Sequence, residues 1–421
     1  MDTPSETLVS IEEQSQKSME KLEANFSSIG TKIHRFPRGL RCVSRDGRYI
    51  EPSFASFGPY HHGSPQVQEV EEVKHVAAHY LCLKSGHSFE EVYSKIASIS
   101  GEARSCYADG DAAVARFNDV ELANMMFLDG CFLLWYLLDE KEPALLLNRM
   151  ILSTGPCMLR DIFLLENQLP WLVLEALMTF ISVPIYKFIL NRSSNFDASS
   201  NLRLSKEEFH RYKPPHLLGL FRYYHIGAMP PEDHSYKSRC FELSTSAIEL
   251  AEIGIKVTAS NKRWFADMSI QKGSLTGKLL LTPLFLDDPT ACWLVNMAAF
   301  EACTSVAYPC DGYTICSYLS LLAMLMCNVE DVQKLRAKHL LRSFFSDQEM
   351  LDFFKGLACH LKLGHRYKVT LGKIDDYKRE RRVRIAVHKF LYRNFKTIAA
   401  LLSIVGVLVG IFKTLLSLKQ H

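Results

Sequence analysis

The sequence lacks the residue patterns that mark most metal proteins and most enzymes. None of its cysteines forms a CxxC pair, which excludes zinc ribbons and thioredoxin-like motifs, and twelve cysteines in 421 residues are too few for a disulfide scaffold. The patterns GxSxG, HExxH and GxGxxG are absent as well. Gly273–Lys278 resembles a phosphate-binding loop, but its two glycines are one residue too close and Leu279 replaces the hydroxyl residue that holds magnesium. We therefore expect no cofactor, no bound metal and no enzymatic activity.

A signal peptide and internal repeats are also missing. Residues 1–30 are acidic and polar instead of basic and then apolar, so we expect them to form a flexible N-terminal arm. Without a secretory signal, the cysteines are expected to be reduced core residues of a protein that faces the cytosol. No period of 20–50 residues recurs, which leaves a solenoid unsupported.

The positive charge of the chain is concentrated at its C-terminal end. From Lys378 onward there are ten Lys and Arg against the single Glu380, a net charge of +9, which leaves −6 for residues 1–377 out of a total of +3. A basic tail on an acidic body is typical of contact with a membrane surface or an acidic partner. It argues against nucleic-acid binding by the body, which needs basic residues on a folded face.

A long apolar run follows the basic residues. Thr397–Phe412 is uncharged, and the run resumes after Lys413 to Leu418, so residues 397–418 are expected to form a transmembrane anchor in which Lys413 reaches the interface along its apolar stem. The alternative is a buried C-terminal helix. The positive-inside rule places the body in the cytoplasm. Residues 378–396 form the expected juxtamembrane segment, whose membrane-surface basic cluster is Lys378, Arg379, Arg381, Arg382, Arg384, Lys389, Arg393 and Lys396. The alternative is a solvated helix face that forms ion pairs with the acidic body.

Residues 31–377 are expected to form one mostly helical domain. Apolar residues recur at three-to-four spacing in most segments, whereas residues 255–283 carry short β-branched pieces and turn residues and predict a small irregular or β element. Val120–Leu138 and Leu169–Ile185 are apolar, but each contains a carboxylate, which favours core helices over membrane spans. Polar loops are expected at Ser193–Ser205 and Met229–Ser238.

Seven short words, spread in order over almost the whole chain, are typical of one plant family. They are FGPYHHG (Phe57–Gly63), EEVKHVAAHYL (Glu71–Leu81), MMFLDGCFLL (Met125–Leu134), LRDIFLLENQLPWLVLEAL (Leu159–Leu177), HLLGLFR (His216–Arg222), SAIELAEIGIKV (Ser246–Val257) and NMAAFEAC (Asn296–Cys303). With these words and its C-terminal apolar run, the chain resembles the plant domain-of-unknown-function-247 family from about Ile33 to Leu418. Two words depart from the usual pattern of the family. This chain has FASFGPY where Ser-Ile-Gly-Pro-Tyr is typical, and NMAAFEAC where Asn-Leu-Ile-Ala-Phe-Glu-Gln is usual.

The resemblance implies a predominantly helical, plant-specific protein with a C-terminal membrane segment and no established biochemical activity. Some grass members of the family are associated with pollen-side recognition in self-incompatibility, where the expected partner is a small secreted pistil protein. The resemblance admits a related role for this chain, although no motif separates those members from the rest.

Four polar residues inside the apolar words predict a structural polar core. They are Asp129, Glu166, Asn167 and Gln168. A buried carboxylate needs hydrogen-bond partners, so these groups are expected to satisfy helix ends and to set the angle between consecutive helices. Two carboxylates that met in a cleft would instead perform acid–base chemistry.

Two histidine clusters offer weaker alternatives. Glu71, Glu72, His75 and His79 share one helical face, but a dimetal bundle needs a second Glu-x-x-His helix, which favours a solvated face. His61 and His62 follow a proline and are interpreted as a turn, with a ligand pair or a pH-sensitive contact as the alternative.

Two functions remain open. The first is a membrane-anchored, non-enzymatic recognition or signalling protein with an unidentified protein partner. The second is an enzyme of unrecognised type that uses Glu and His groups in a cleft of the helical body. The second requires Asp129, Glu166, His61 or Glu301 to converge.

Overall fold

The structure, a computed structural model, describes most of the chain. The described residues are 4–44, 46–108, 110–138, 157–193, 206–227, 245–261, 264–274, 276–305 and 313–419. The polar loops expected at Ser193–Ser205 and Met229–Ser238 therefore lie outside the described residues, except for Ser193.

Among the described residues up to 138, the chain forms six helices, of which the last is long and buried. They are α1 (Pro4–Ser28), α2 (Glu71–Ser85), α3 (Phe89–Ser98), α4 (Ser100–Ser105), α5 (Ala112–Ala115) and α6 (Asp119–Leu137). α6 is apolar on all sides, which is why it is buried, and it packs against α2, α3 and α4. A capping box between Asn118 and Glu121 fixes its first turn. The extended segment between α1 and α2 contains three short 3-10 helices.

The described residues from 157 to 419 form eleven more helices. They are α7 (Trp171–Met178), α8 (Ile185–Ser193), α9 (Lys206–Arg211), α10 (Leu217–Ile226), α11 (Ala247–Glu252), α12 (Asp288–Thr304), α13 (Thr314–Leu325), α14 (Val329–Ala337), α15 (Asp347–Ala358), α16 (His365–Glu380) and α17 (Arg382–Lys419). The chain also makes one helical turn at 157–161. α12 and α13 pack against each other in the core, and both are almost entirely buried.

Two small sheets lie among these helices. β1 (Ile255–Ala259), β2 (Ser269–Lys272) and β3 (Gly277–Leu281) form a sheet in the order β1-β3-β2, with β1 parallel and β2 antiparallel to β3. This sheet occupies the region where the sequence predicts a β element. β4 (Leu284–Leu286) and β5 (Leu341–Ser343) form a second, parallel pair that the sequence did not predict.

One contiguous apolar core joins the two halves of the body. At its centre the rings of Phe163 and Phe221 lie 4.1 Å apart between centroids, and both meet the edge of Trp293. α6 is long and apolar enough to cross a membrane, but 72% of the residues in its apolar stretch are buried inside the body. α13 and α14 are long and apolar enough to cross a membrane only when they are taken together, and the two helices are bent by 112° at the break between them.

The predicted fold class is confirmed: the protein is mostly helical, has a few short strands, and ends in an apolar helix able to span a membrane. The N-terminal arm contains the regular helix α1, which exposes Ile11, Met19 and Leu22. Its predicted flexibility stays a prediction. The backbone at Arg381 leaves the helical conformation and separates α16 from α17 inside the predicted juxtamembrane segment.

Candidate functional site

The loop Ser53–Gly58 is the centre of a buried polar network, and side chains distant in sequence hold it in place. The backbone N–H groups of Ser53, Phe54 and Ala55 all donate to the carboxylate of Asp161, at 2.6–3.1 Å. Burial raises the pKa of Asp161 to about 6, although these donors favour its ionised form. Asp161 therefore acts as an anchor for a loop that would otherwise leave three N–H groups unsatisfied.

Asn167 and Gln168 extend this network on both sides. The side chain of Asn167 accepts from Phe57 N at 2.7 Å and donates to the carbonyls of Ala55 and Asp161. Gln168 donates to the carbonyls of residues 162 and 164, and its Oε1 accepts from Leu218 N at 3.0 Å, the second residue of α10. Both amides are buried, so they satisfy backbone groups and leave no free polar atom for a ligand.

Gly58 brings the loop against α6. Its N–H donates to Asp129 Oδ2 at 2.8 Å, and its φ of 74° lies in the left-handed region. A β-carbon there would lie 2.5 Å from the Tyr107 hydroxyl and 3.0 Å from the Gln168 carbonyl oxygen. Only glycine combines this backbone angle with so close an approach.

A buried ion pair lies beside Gly58. Lys74 Nζ donates to Asp129 Oδ1 at 2.6 Å, to Glu71 Oε1 at 2.7 Å and to the Ser56 carbonyl at 2.8 Å. Lys74 has no exposed surface and Asp129 has almost none. Burial alone would lower the pKa of Lys74, but the two carboxylates outweigh it and raise the pKa. Lys74 is therefore a charged structural cation that binds α2, α6 and the loop together.

Glu166 belongs to a second charged cluster at the edge of the core. Its carboxylate accepts from Phe36 N at 2.7 Å, from Arg35 at 2.9 Å and from Arg41 at 3.0 Å. Arg35 also makes a two-point ion pair with Asp111. Glu166 therefore ties the extended N-terminal segment to the body.

A third charged group connects α10, α12 and α13. Glu301 on α12 accepts both Nε and Nη2 of Arg222 on α10, at 2.9 and 2.7 Å. It also accepts the N–H groups of Ile315 and Cys316, at the start of α13, at 2.9 Å each. Glu301 is fully buried, so one carboxylate neutralises a buried arginine and caps the next helix.

The carboxylates named in the sequence analysis do not meet in one cleft. Asp129, Glu166 and Glu301 each belong to a different cluster. Among these four candidate residues, His61 and Glu166 approach each other, with His61 Nε2 at 3.8 Å from Glu166 Oε2. Burial lowers the pKa of His61. His75 and His79 are exposed on α2. Within the described ranges, no three His, Cys, Asp or Glu side chains are placed to hold a metal ion.

The sequence analysis did not identify three residues of these buried polar clusters: Lys74, Asp161 and Arg222. Lys74 lies on the buried face of α2 with Ala77, Ala78 and Leu81. A lysine at the helical spacing of apolar residues could have indicated a buried cation. Asp161 lies in an apolar word already noted for its other polar residues. Arg222 gave no signal, because its partner is 79 residues away.

The C-terminal helix α17 leaves the body. None of the window Arg382–Lys413 is buried, and the large apolar side chains from Leu401 to Leu415 expose between 53% and 68% of their surface. At its start, Val383, Val387, Phe390 and Leu391 form an exposed apolar face.

The eight basic residues of segment 378–396 divide into two sets. Five contact the body through Thr245, Glu252 or the carbonyls of residues 273 and 274; they are Lys378, Arg381, Arg384, Lys389 and Arg393. The other three are exposed and have no hydrogen bond or ion pair within the described chain; they are Arg379, Arg382 and Lys396.

Comparison with known proteins supports the family resemblance that the seven short sequence words predict. A model of the plant domain-of-unknown-function-247 family, whose description is "Plant protein of unknown function", matches residues 33–409. UPF0481 protein At3g47200 of Arabidopsis thaliana is 25% identical over 359 residues, or 77% of this chain and 72% of that protein. Putative UPF0481 protein At3g02645 of the same plant is 29% identical over 170 residues, or 39% of this chain and 30% of that protein. No solved structure matches the chain significantly. The predicted resemblance is confirmed, and the chain belongs to the plant domain-of-unknown-function-247 family, whose function is unknown.

Proposed function

We propose that this protein is anchored in a membrane by α17 and holds its helical body at the cytoplasmic surface, as a non-enzymatic recognition or signalling protein. The exposed apolar surface of α17 carries this proposal. Burying one large apolar side chain contributes about 1.5–3 kcal/mol, so a helix that exposes so many of them is stable only when something covers them. A lipid bilayer covers every side of a helix at once.

The length of α17 fits a single span. The uncharged residues 397–412 would extend only about 24 Å, short of a hydrocarbon core of about 30 Å. α17 continues without a break to Lys419, and residues 397–418 extend about 33 Å. Lys413 would then place its ammonium group at the far interface along its apolar stem.

The charges next to the span support a cytoplasmic body at an anionic leaflet. Arg379, Arg382 and Lys396 face solvent, where each would contribute about 1 kcal/mol of attraction to anionic lipid. The exposed face of Val383, Val387 and Phe390 would enter the interface beside them. The body-bound cations, by contrast, orient the start of α17 on the body.

The hydrogen bonds of the buried polar residues favour recognition over catalysis. The side chains of Asp161, Asn167 and Gln168 are hydrogen-bonded to the backbone, and the buried carboxylates of Asp129 and Glu301 are paired with cations. Groups used in this way give one rigid arrangement of loops and helices, as a binding surface requires.

The anchor is tested by Leu408→Asp in the full-length chain. A carboxylate near the middle of the span costs about 2.5–3.5 kcal/mol, so the variant should become extractable from membranes at alkaline pH, whereas the wild-type chain stays in the pellet. Leu22→Asp, an equally exposed position on α1, is the matched control and should stay in the pellet. In sealed microsomes, protease added outside should digest the wild-type body. An extractable wild-type chain contradicts the anchor, and a protected body contradicts the orientation.

The division of the basic residues predicts unequal effects on lipid binding. In the Leu408→Asp background, changing Arg379, Arg382 and Lys396 together to Gln should reduce flotation with vesicles that contain phosphatidylserine, by up to about 3 kcal/mol of binding free energy. The matched triple variant of Arg384, Lys389 and Arg393 should have a smaller effect, because these residues are already engaged by the body. Equal losses from both triple variants would contradict the division.

A further inference from the structure

A groove of about 630 Å³ lies between α2, α3 and α6, beside the Lys74–Asp129 ion pair. Glu71 and Asp129 line it, and so do the aromatic side chains of Phe89, Tyr93 and Phe117. The polar network described above does not use this space.

The groove is negatively charged. The carboxylates of Glu71, Asp129 and Glu121 line it, whereas no lysine or arginine does, and Lys74 lies buried behind the first two. Lys74 offsets one of the three negative charges and Arg116, which lies over the ring of Phe117, offsets a second, so the net charge is −1 when the lining residues His62 and His75 are neutral. Oε2 of Glu71 makes no hydrogen bond or ion pair in the described chain, and the side chain is 21% exposed. One carboxylate oxygen is therefore available to a ligand.

Two of these rings are held in place by a buried neighbour. Phe89 and Tyr93 both pack edge-on against the buried Phe127, with centroids 4.8 and 5.7 Å apart, while Phe89 keeps 48% of its surface exposed. Phe117 packs edge-on against His62, and its face already carries the guanidinium of Arg116, 4.5 Å from the ring centroid. Aromatic faces attract cations, and the attraction is largest for cations that shed water easily.

We propose that this groove binds an organic cation, an ammonium or guanidinium group carried on an aliphatic stem. Glu71 Oε2 receives the charged head, and the rings of Phe89 and Tyr93 attract the head and cover the stem. The chemistry is shared by the lysine and arginine side chains of a partner polypeptide and by free amines such as spermidine. The groove does not include any residue of α17, so this proposal does not depend on the membrane anchor.

Binding is measured on the full-length chain in neutral phosphatidylcholine nanodiscs, whose lipids do not attract cations. The probes are N-acetyl-arginine methylamide, N-acetyl-lysine methylamide and spermidine, with N-acetyl-norleucine methylamide as a neutral probe of similar stem. Titration calorimetry or saturation-transfer NMR should show saturable binding of the cations, and binding of the neutral probe at least about ten-fold weaker. Tighter binding of the amino-acid probes assigns the site to a polypeptide side chain, and tighter binding of spermidine assigns it to a free amine.

Variants of the lining residues test the location. Glu71→Gln should weaken cation binding about ten-fold, and Phe89→Leu about two- to five-fold. Glu72→Gln and Leu83→Ala change exposed residues of α2 outside the groove and should leave affinity unchanged. If Glu71→Gln does not fold, Glu121→Gln reports on the same charge. Absence of cation binding, equal binding of the neutral probe, or full affinity in both glutamine variants would overturn the proposal.

Discussion

Replacing Lys74 with methionine is expected to lower the free energy of unfolding by about 3–5 kcal/mol. The substitution keeps an unbranched side chain that is one heavy atom shorter, and it leaves the carboxylate of Asp129 buried without its counterion. It also removes the hydrogen bond to the Ser56 carbonyl that fixes the loop Ser53–Gly58. Urea unfolding of the detergent-solubilised chain, followed by circular dichroism, measures the change.

Two further variants separate charge burial from simple loss of packing. Lys95→Met removes an exposed lysine from α3 and should change stability by less than about 0.5 kcal/mol. Adding Asp129→Asn to Lys74→Met should recover part of the loss, because the amide is uncharged and still accepts from Gly58 N. A Lys74→Met protein as stable as the Lys95→Met control would show that the pair is not buried as described.

The pH dependence of Lys74→Met follows from the same charge. Burial raises the pKa of Asp129, and without Lys74 nothing comparable opposes this effect. A carboxyl group whose pKa is raised by folding contributes stability below its unfolded pKa and loses it as the pH rises through the folded pKa. The deficit relative to the wild-type chain should therefore be larger at pH 7.5 than at pH 5.

Arg222→Met is the second substitution expected to cost about 3–5 kcal/mol. It leaves Glu301 fully buried, with the N–H groups of Ile315 and Cys316 as its remaining donors. Because Glu301 joins α10, α12 and α13, the loss should appear as reduced stability of the whole body, not as fraying of one helix. The same urea titration measures it, with tryptophan fluorescence as a second probe.

The matched control for this pair is Arg342→Met, at an exposed position of β5. It should remain within about 0.5 kcal/mol of the wild-type chain. The double variant Arg222→Met with Glu301→Gln should be more stable than Arg222→Met alone, since glutamine is uncharged and can still accept from the start of α13. If the double variant is less stable than either single variant, the buried charge is not the cause.

Features that depend on neighbouring residues could be predicted from the sequence. The capping boxes at Asn118 and Ser346 close within three residues, and the apolar spacing of each helix repeats within one or two turns. Helix boundaries were harder to predict. Residues 179–184 separate α7 from α8, and the single residue Arg381 separates α16 from α17.

The candidate site could be predicted only in part. Asp129, Glu166, Asn167 and Gln168 were identified because polar groups are conspicuous inside apolar words, but their partners were not. Asn167 and Asp161 hold a loop more than 100 residues earlier in the chain. Residue spacing carries no information about such pairs, because any of several polar groups could satisfy a given buried N–H.

The sequence by itself determined the helical class, the family, the separation of an acidic body from a basic tail, and the long apolar C-terminal run. Each of these is a property of composition or of short-range periodicity, which the chain carries before it folds. Only the tertiary structure decided that Lys74 meets Asp129, that Glu301 caps α13, and that five of the eight basic residues lie on the body while three remain free. These outcomes depend on which distant segments come together, and packing of the whole core decides that.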